Sequence, residues 1–551
     1  MKRGFPRLLG PWLLGAVLVW LVGYPLLVTV TALFGAPGGA GAALATFAGR
    51  IEEWLALWRS LWISTASVLL AAVIGIPLGF LFERAEFPGR RILGALIALP
   101  VALPPLVGVI AFVFLFGESG LLPRALVAGL GLAGPPWRLS GPGAILLVHG
   151  YSMYVYFYLF TRAGLARLDG ALEEAAAALG ASRFSILVRV TLPMLGPAFA
   201  GAALLCFMTS LGSFSAPYLF GGNFRVMTTQ IVASKLNGDV VAAQVETLAL
   251  AALAIGSLFV LRWLDPQRRL TGTVRGVAPR RRPVGGRRAK LVAGLAAALL
   301  AVFLLAPHAT LLLISFVPAG TWSVEPFPPV LSLANWTGMV GGPEGLRPLG
   351  NSLWMAALAT VVATFLGFAA AAQATRLGGK AGRFFEALLA LPWALPGTVF
   401  ALALATTFSV DAPWFGRFVL IGTPWLLPLA YVVRALPLTG RSSLAGFRGL
   451  DPTLGEAAAS LGAGPWRRFW RIELPLLRPA VVAGAGLAFI TALGDFVTSV
   501  LLYTFDNRPI SMAIDSILRR NNLGLAAVYG VILMVASSAA FLAWGRERQN
   551  L

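Results

Sequence analysis

Residues 174–193 read "EAAAALGASRFSILVRVTLP", and residues 456–475 read "EAAASLGAGPWRRFWRIELP". In both stretches a glycine follows the glutamate by six residues, and a proline follows that glycine by thirteen. The alanines favour a short helix, and a glycine just past a helix end is a common left-handed cap. Each stretch therefore predicts two short helices joined at the glycine, the second ending at its "TLP" or "ELP" triplet.

An aspartate precedes each stretch at the position expected for a helix N-cap. Asp451 is followed by Pro452, which suits the first helical position, and Asp169 occupies the matching place upstream. A hairpin with a small-residue face can dock as a helix in a groove. One such hairpin could equally be a connector that packs on its own protein, but two with identical spacing favour docking on a partner.

The composition indicates a membrane protein. Of 551 residues, 58% are hydrophobic and only 12% are charged, whereas soluble domains carry about 25% charged residues. Apolar runs of about 20 residues recur, and helices of that length can cross a bilayer with their backbone satisfied. The predicted fold is an all-α polytopic membrane protein with twelve transmembrane helices. Spans 1 to 12 are residues 10–34, 60–82, 92–116, 143–162, 195–219, 241–264, 291–317, 352–375, 384–408, 418–437, 480–503 and 525–545.

The net charge of +21 agrees with this arrangement. Arginines and lysines cluster where spans 2, 4, 8 and 10 end, and that side is expected to be cytoplasmic. Both termini and both hairpins then lie in the cytoplasm. The basic stretch 265–290 is interpreted as a linker against anionic membrane lipid. Nucleic-acid binding by this stretch is the weaker alternative.

The two halves of the chain repeat each other. "SLWISTASVLLAAVIG" at 60–75 aligns with "SLWMAALATVVATFLG" at 352–367, and Pro100 and Pro104 align with Pro392 and Pro396. These proline pairs predict breaks or kinks in spans 3 and 9. Residues 1–264 and 291–551 form two parallel-topology repeats of six helices, with hairpins at 169–193 and 451–475. Parallel repeats of this kind place a pathway between the halves.

The hairpins resemble the "EAA" motif of binding-protein-dependent ABC importer permeases, in the fused two-copy form of the ferric-iron, thiamine and polyamine kind. The resemblance covers both halves and implies the MetI-like permease fold in a bacterial inner membrane. It implies that the motif is a coupling helix seated in a cytoplasmic ATPase. The residues carried over are Glu174, Ala175, Ala176, Gly180 and Pro193, and Glu456, Ala457, Ala458, Gly462 and Pro475. The neighbouring Glu173 leaves open which glutamate pairs with the ATPase.

Energy is expected to come from other subunits. No "GxxxxGK[ST]" phosphate loop occurs in the sequence, so this chain is predicted to be a non-catalytic subunit that binds no cofactor itself. The resemblance implies two copies of a separate ATPase carrying ATP and Mg, and an extracytoplasmic substrate-binding protein.

The substrate path offers fewer signals. Asp495 lies within span 11 and corresponds to Ser213 in span 5, and ionisable groups inside spans tend to mark function. The two side chains could face each other across the path, or Asp495 could pair with a nearby arginine. His149 and His308 are interpreted as packed side chains, so no metal site is predicted.

Two outer segments, 220–239 and 503–522, also correspond, with Arg225 matching Arg508. Each is predicted to form a short outer helix. Arg225, Arg508 and Arg519 are candidates for the docking rim or gate that meets the binding protein.

Two other classes of protein remain as alternatives. A secondary transporter driven by an ion gradient would share the parallel repeats but would not need the hairpins. A scaffold or channel explains neither feature. Among cargoes ferric iron is the first choice, with thiamine, polyamines and phosphonates open.

Overall fold

The computed structural model describes residues 6–263, 282–283, 286–322, 325–342 and 345–547. Most of the predicted linker 265–290 lies outside these residues. The described chain is almost wholly helical, apart from two parallel two-residue strands, Ala85–Glu86 and Arg282–Pro283.

Helices occur in each predicted span and between several of them. In the first half they are Pro6–Leu18, Tyr24–Ala32, Gly39–Gly49, Ile51–Arg84, Arg90–Ala102, Pro105–Phe116, Leu121–Leu130, Gly141–Arg167, Gly170–Ala178, Arg183–Ile186, Leu192–Met194, Gly196–Leu211, Ser215–Phe220, Met227–Leu236 and Val240–Trp263. In the second half they are Arg287–Ser315, Ala334–Gly341, Arg347–Leu377, Gly379–Ala394, Gly397–Thr407, Leu426–Gly449, Pro452–Ser460, Pro465–Arg468, Leu474–Leu493, Ser499–Leu502, Ile510–Arg519 and Leu523–Glu547.

Among the described residues, eleven of the twelve predicted membrane crossings correspond to helices or bent helix pairs that are long and apolar enough to span a membrane, and the exception is span 10. Within the described ranges, 9 helices are long and apolar enough to cross a membrane, and two bent pairs raise this number to 11. The bends are 61° before Gly196–Leu211 and 105° before Gly397–Thr407. Span 10 corresponds to Leu426–Gly449, a helix of 24 residues that carries three arginines and therefore has a more polar composition than the others.

The first helix of each half packs against the other half. Span 1 packs on span 9, and span 7 packs reciprocally on span 3. The indole Nε1 of Trp20 donates to the Gly416 carbonyl at 2.9 Å, and the Tyr151 hydroxyl donates to the Leu304 carbonyl at 2.8 Å. The first helix of each repeat is thus built into the other repeat, which makes the halves one folding unit.

Spans 3 and 9 break at equivalent prolines, as predicted. Helix Arg90–Ala102 ends before Pro104, and helix Gly379–Ala394 ends before Pro396. The residues before these prolines, Leu103 and Leu395, are extended with ψ of 131° and 141°, because the proline ring disfavours helical geometry in the preceding residue. The partner prolines Pro100 and Pro392 lie inside helices instead.

Candidate coupling hairpins and membrane polar groups

The first hairpin begins at an aspartate cap and turns at a glycine. The Asp169 carboxylate accepts the Ala171 N–H at 3.0 Å and starts helix Gly170–Ala178. Gly180 has φ of +83°, and the Ala181 N–H closes back onto the Ala176 carbonyl at 3.0 Å. This is a Schellman-type C-cap, which favours glycine because other side chains are strained at positive φ.

The second hairpin has the same construction. Asp451 accepts the Thr453 N–H at 2.9 Å, and this bond lowers the pKa of the Asp451 carboxyl. Gly462 has φ of +77°, and the Ala463 N–H reaches the Ala458 carbonyl at 2.9 Å. The predicted caps and glycine turns are therefore present in both repeats.

In the first hairpin the second helix ends at Met194, one residue after Pro193, as predicted, whereas in the second hairpin the helix continues through Pro475, contrary to the sequence prediction. A π-turn, Leu187–Thr191 or Phe469–Glu473, leads directly into the next helical segment, which contains Pro193 or Pro475. A proline cannot donate the hydrogen bond of an ordinary helical turn, and the wider turn precedes it in both repeats. In the second repeat the helix runs on as one span, Pro465–Leu493.

Large apolar side chains project from both hairpins. Leu179 and Leu461 are each 89% exposed beside the glycine turns. Phe184 and Trp466, in the following short helices, are 75% and 74% exposed. Both pairs occupy equivalent positions. The sequence did not single them out, because an apolar residue within a mostly apolar chain carries no distinct signal. Exposed apolar side chains at matching positions are typical of a surface that a partner covers. Leu179 and Leu461 are called the apolar knobs below.

The two neighbouring glutamates of the first hairpin have different environments. Glu173 pairs with the Arg84 guanidinium through both carboxylate oxygens and accepts the Thr191 hydroxyl at 2.7 Å. Its side chain is only 16% exposed. Glu174 is exposed to solvent, as is Glu456 in the second hairpin. Glu173 is therefore held by its own chain, while Glu174 is accessible to a partner.

The small residues of the motif are mostly exposed as well. Ala175 and Ala457 face solvent, and Ala176 is half-buried. Ala458 is the exception at 6% exposed. The second hairpin therefore packs one motif alanine against its own body.

Asp495 is paired with an arginine, which was the alternative left open by the sequence. Its carboxylate accepts from the Arg434 guanidinium, from the Thr498 N–H at 2.8 Å and from the Ser499 N–H at 3.2 Å. The Asp495 side chain is 4% exposed and that of Arg434 is 26% exposed. Both line a small cavity together with Tyr431. The carboxylate oxygens of Asp495 accept from these donors, whereas the Arg434 side chain is the more exposed of the two.

Ser213 makes its contacts within its own half. Its hydroxyl lies 3.0 Å from Nε2 of His149, whose Nδ1 lies 2.8 Å from the Ser67 hydroxyl. His149 is a buried, hydrogen-bonded side chain, as expected, and His308 likewise contacts the Leu304 carbonyl through Nδ1. Ser213 and Asp495 thus occupy matching positions, but each has its polar partner in its own repeat.

Equivalent bonds anchor the outer helices Met227–Leu236 and Ile510–Arg519. Ser60 Oγ accepts the Met227 N–H at 2.8 Å, and Ser352 Oγ accepts the Ile510 N–H at 2.8 Å. The predicted short helices are confirmed.

The three candidate docking arginines differ in their contacts. Arg225 is exposed, whereas Arg508 is half-buried and donates to the Met512 carbonyl. Arg519 bonds to Asp515 at 3.0 Å and to the Tyr218 hydroxyl of the other half. Arg519 therefore joins the two repeats, and both Arg225 and Arg519 are exposed to solvent.

The chain matches a known family in both halves. The family model described as "binding-protein-dependent transport system inner membrane component" matches residues 75–270 and 363–545. A "probable ABC transporter permease protein" of Sinorhizobium fredii is 30% identical over 493 residues, covering 88% of this chain and 86% of that protein.

Other relatives have more specific names. The ferric transport system permease FbpB of Actinobacillus pleuropneumoniae is 27% identical over 494 residues, covering 88% of this chain and 70% of that one. The molybdenum transport permease ModB of Escherichia coli is 32% identical over 221 residues, 38% of this chain and 93% of its own. Among solved structures, a bacterial ABC transporter that imports alginate has a TM-score of 0.35 and 18% identity, covering 47% of this chain and 95% of that chain.

Proposed function

The chain belongs to the inner membrane components of binding-protein-dependent ABC transport systems, and we propose that its two hairpins each engage one copy of a cytoplasmic ATPase to drive import of ferric iron. ATP and Mg would be held by those ATPase subunits. The cargo would be delivered by an extracytoplasmic binding protein, and both termini would lie in the cytoplasm. Alternating access between the two halves would then carry the cargo through the bacterial inner membrane.

The matched apolar knobs support the proposed coupling role most strongly. Leu179 and Leu461 project equally far at equivalent positions, and both follow a helix closed by a left-handed glycine. A leucine that becomes fully buried contributes roughly 1.5–3 kcal/mol. Two such contacts on one chain fit two copies of one partner better than they fit two unrelated partners.

The accessible glutamates complete the proposed contact. Glu174 and Glu456 lie five residues before Leu179 and Leu461 and are exposed. We assign the ATPase contact to Glu174 rather than Glu173, since Glu173 is already bound to Arg84.

The proposal of ferric iron rests on similarity along most of the chain. The ferric permease FbpB aligns with both halves, whereas ModB aligns with 38% of the chain. For delivery, Arg225 is the proposed contact with the binding protein because it is exposed on the outer segment. The polar groups around Arg434, Asp495 and Ser213 are the proposed lining of the path.

Reconstitution tests these assignments separately. The chain is purified with its ATPase, and native mass spectrometry counts the subunits; two ATPase copies per chain are expected, and one copy would refute the two-hairpin model. Uptake of radioactive iron into proteoliposomes containing the binding protein is then measured in competition with thiamine, a polyamine, phosphonate and molybdate. ATP-dependent uptake of another cargo but not iron would refute the cargo assignment alone.

A further inference from the structure

Two buried glutamates meet where three helices of the first half converge. Glu53 lies in the first turn of Ile51–Arg84 and is 2% exposed, and Glu246 lies in Val240–Trp263 and is 0% exposed. Gln230 and Ser234, one turn apart on helix Met227–Leu236, contact Glu53 and Glu246 respectively, which places the two carboxyl groups side by side. Neither residue has a part in the coupling hairpins or in the polar groups around Asp495.

Helix Met227–Leu236 covers this pair with two neutral side chains. The Ser234 hydroxyl donates to Oε1 of Glu246 at 2.6 Å, and Gln230 Nε2 donates to Oε1 of Glu53 at 3.3 Å. The Oε2 atoms of both glutamates are fully buried and have no conventional donor. One oxygen on each carboxyl group is thus left for a ligand between them.

The charged groups around the pair do not neutralise it. Arg50 lies 3.7 Å from Asp239, and both of these side chains are 47% exposed. Lys235 points its ammonium at the Leu501 carbonyl, and Glu52 is exposed to solvent. The adjoining helix Gly39–Gly49 contains no charged residue. Two ionised carboxylates in such a place are strongly disfavoured without a bound cation, because burial removes their solvation.

The second repeat shows that the fold does not require acids here. Gly345 and Tyr529 occupy the positions equivalent to Glu53 and Glu246. The Tyr529 hydroxyl donates to the Gly345 carbonyl at 2.6 Å. Gly345 lies in a turn before helix Arg347–Leu377, so a neutral hydrogen bond links helix Leu523–Glu547 to that turn. The acid pair is therefore an addition specific to the first repeat.

We propose that Glu53 and Glu246 form a proton-binding site that holds one proton between their Oε2 atoms. One carboxyl group donates to the other, which satisfies both buried oxygens and leaves one negative charge for Ser234 and Gln230 to solvate. Removal of the proton places two like charges in contact and weakens the packing of Met227–Leu236 on the first half.

The test uses infrared difference spectroscopy of the full chain in lipid nanodiscs. The wild type is compared with the double variant Glu53→Gln/Glu246→Gln, which removes both carboxyl groups and keeps side chains of nearly the same size and polarity. At neutral pH we expect one deuterium-sensitive carboxylic-acid band in the wild type that the double variant lacks. Raising the pH should remove this band from the wild-type spectrum alone.

Other outcomes overturn the proposal. A wild-type spectrum without the band, together with calorimetric binding of Ca²⁺ that the double variant loses, would identify a metal site instead. Two bands would show that both carboxyl groups are protonated independently. The Tyr529→Phe variant is the matched control, and loss of the band there would show that it comes from elsewhere.

Discussion

The rings of Phe214 and Phe496 lie with their centroids 5.5 Å apart, and these residues occupy the same position in the two repeats. Residues related by a two-fold axis can touch each other only near that axis. The pseudo-two-fold axis therefore passes beside this aromatic pair. Tyr218 packs on Phe496 as well, at 5.5 Å, so aromatic rings close the space between the halves here.

Gly212 and Gly494 lie two residues before Phe214 and Phe496. Substitutions at these glycines measure how closely the two halves pack. A Cβ atom added at Gly494 would lie 2.5 Å from Cβ of Pro104, whereas one added at Gly212 would lie 3.3 Å from the Met208 carbonyl oxygen and 3.6 Å from Cα of Pro396. Gly494→Ala should therefore destabilise the protein by about 1–3 kcal/mol through overpacking, and it should slow transport by displacing Pro104. Gly212→Ala is the matched control and should change the melting temperature little. Equal melting temperatures for the two variants would contradict the asymmetric contact.

The exposed knob of the second hairpin gives a direct test of coupling. Leu461→Asp should weaken ATPase binding at least about tenfold, because burial of a leucine contributes roughly 1.5–3 kcal/mol. The melting temperature of the isolated chain should not change, since the side chain is 89% exposed. Binding of labelled ATPase to nanodiscs measures the effect.

Leu331→Asp provides the control for that experiment. Leu331 is 58% exposed and lies in the loop after span 7, which is predicted to be on the opposite side of the membrane. ATPase affinity should be unchanged in this variant. If both substitutions weakened binding equally, the loss would have to come from a general effect on the protein rather than from the hairpin.

Substitutions of the neighbouring glutamates Glu173 and Glu174 should separate effects on stability from effects on ATPase binding. Glu173→Gln removes the charge that holds Arg84, and hydrogen bonds to charged groups contribute about 1.5–3 kcal/mol, so the melting temperature should fall. Glu174→Gln should leave the melting temperature unchanged and weaken ATPase binding several-fold, as expected for an exposed ion pair worth up to about 1 kcal/mol. The reverse pattern would assign the ATPase contact to Glu173.

Much of the fold was predictable because its signals are repeated and local. Apolar runs defined the spans, and the glycine spacing predicted the turns at Gly180 and Gly462. Proline breaks at Pro104 and Pro396 followed from ring geometry. The wrong prediction concerned Pro475, since a proline can stay inside a helix when a π-turn precedes it.

The site details depended on contacts that sequence spacing does not reveal. Glu173 and Arg84 are far apart in the chain, and only the folded hairpin brings them together. Likewise, the sequence allowed Asp495 either to face Ser213 across the path or to pair with an arginine. The packing of span 10 places Arg434 against Asp495. The exposure of Leu179 was hidden because an apolar residue in an apolar sequence carries no distinct signal.

The Arg434–Asp495 pair should be more sensitive to substitution than its counterpart in the first repeat. Asp495→Asn leaves a largely buried guanidinium without its counter-charge, and breaking a buried pair in this way costs about 3–5 kcal/mol. Ser213→Ala removes one neutral contact of His149 and should cost about 1 kcal/mol. Thermal unfolding in nanodiscs compares the two variants, and uptake per folded molecule measures transport. The double variant Arg434→Met/Asp495→Asn should recover part of the stability lost in Asp495→Asn, because it removes the uncompensated charge. If the double variant were less stable than Asp495→Asn alone, the arginine would be held by groups other than this carboxylate.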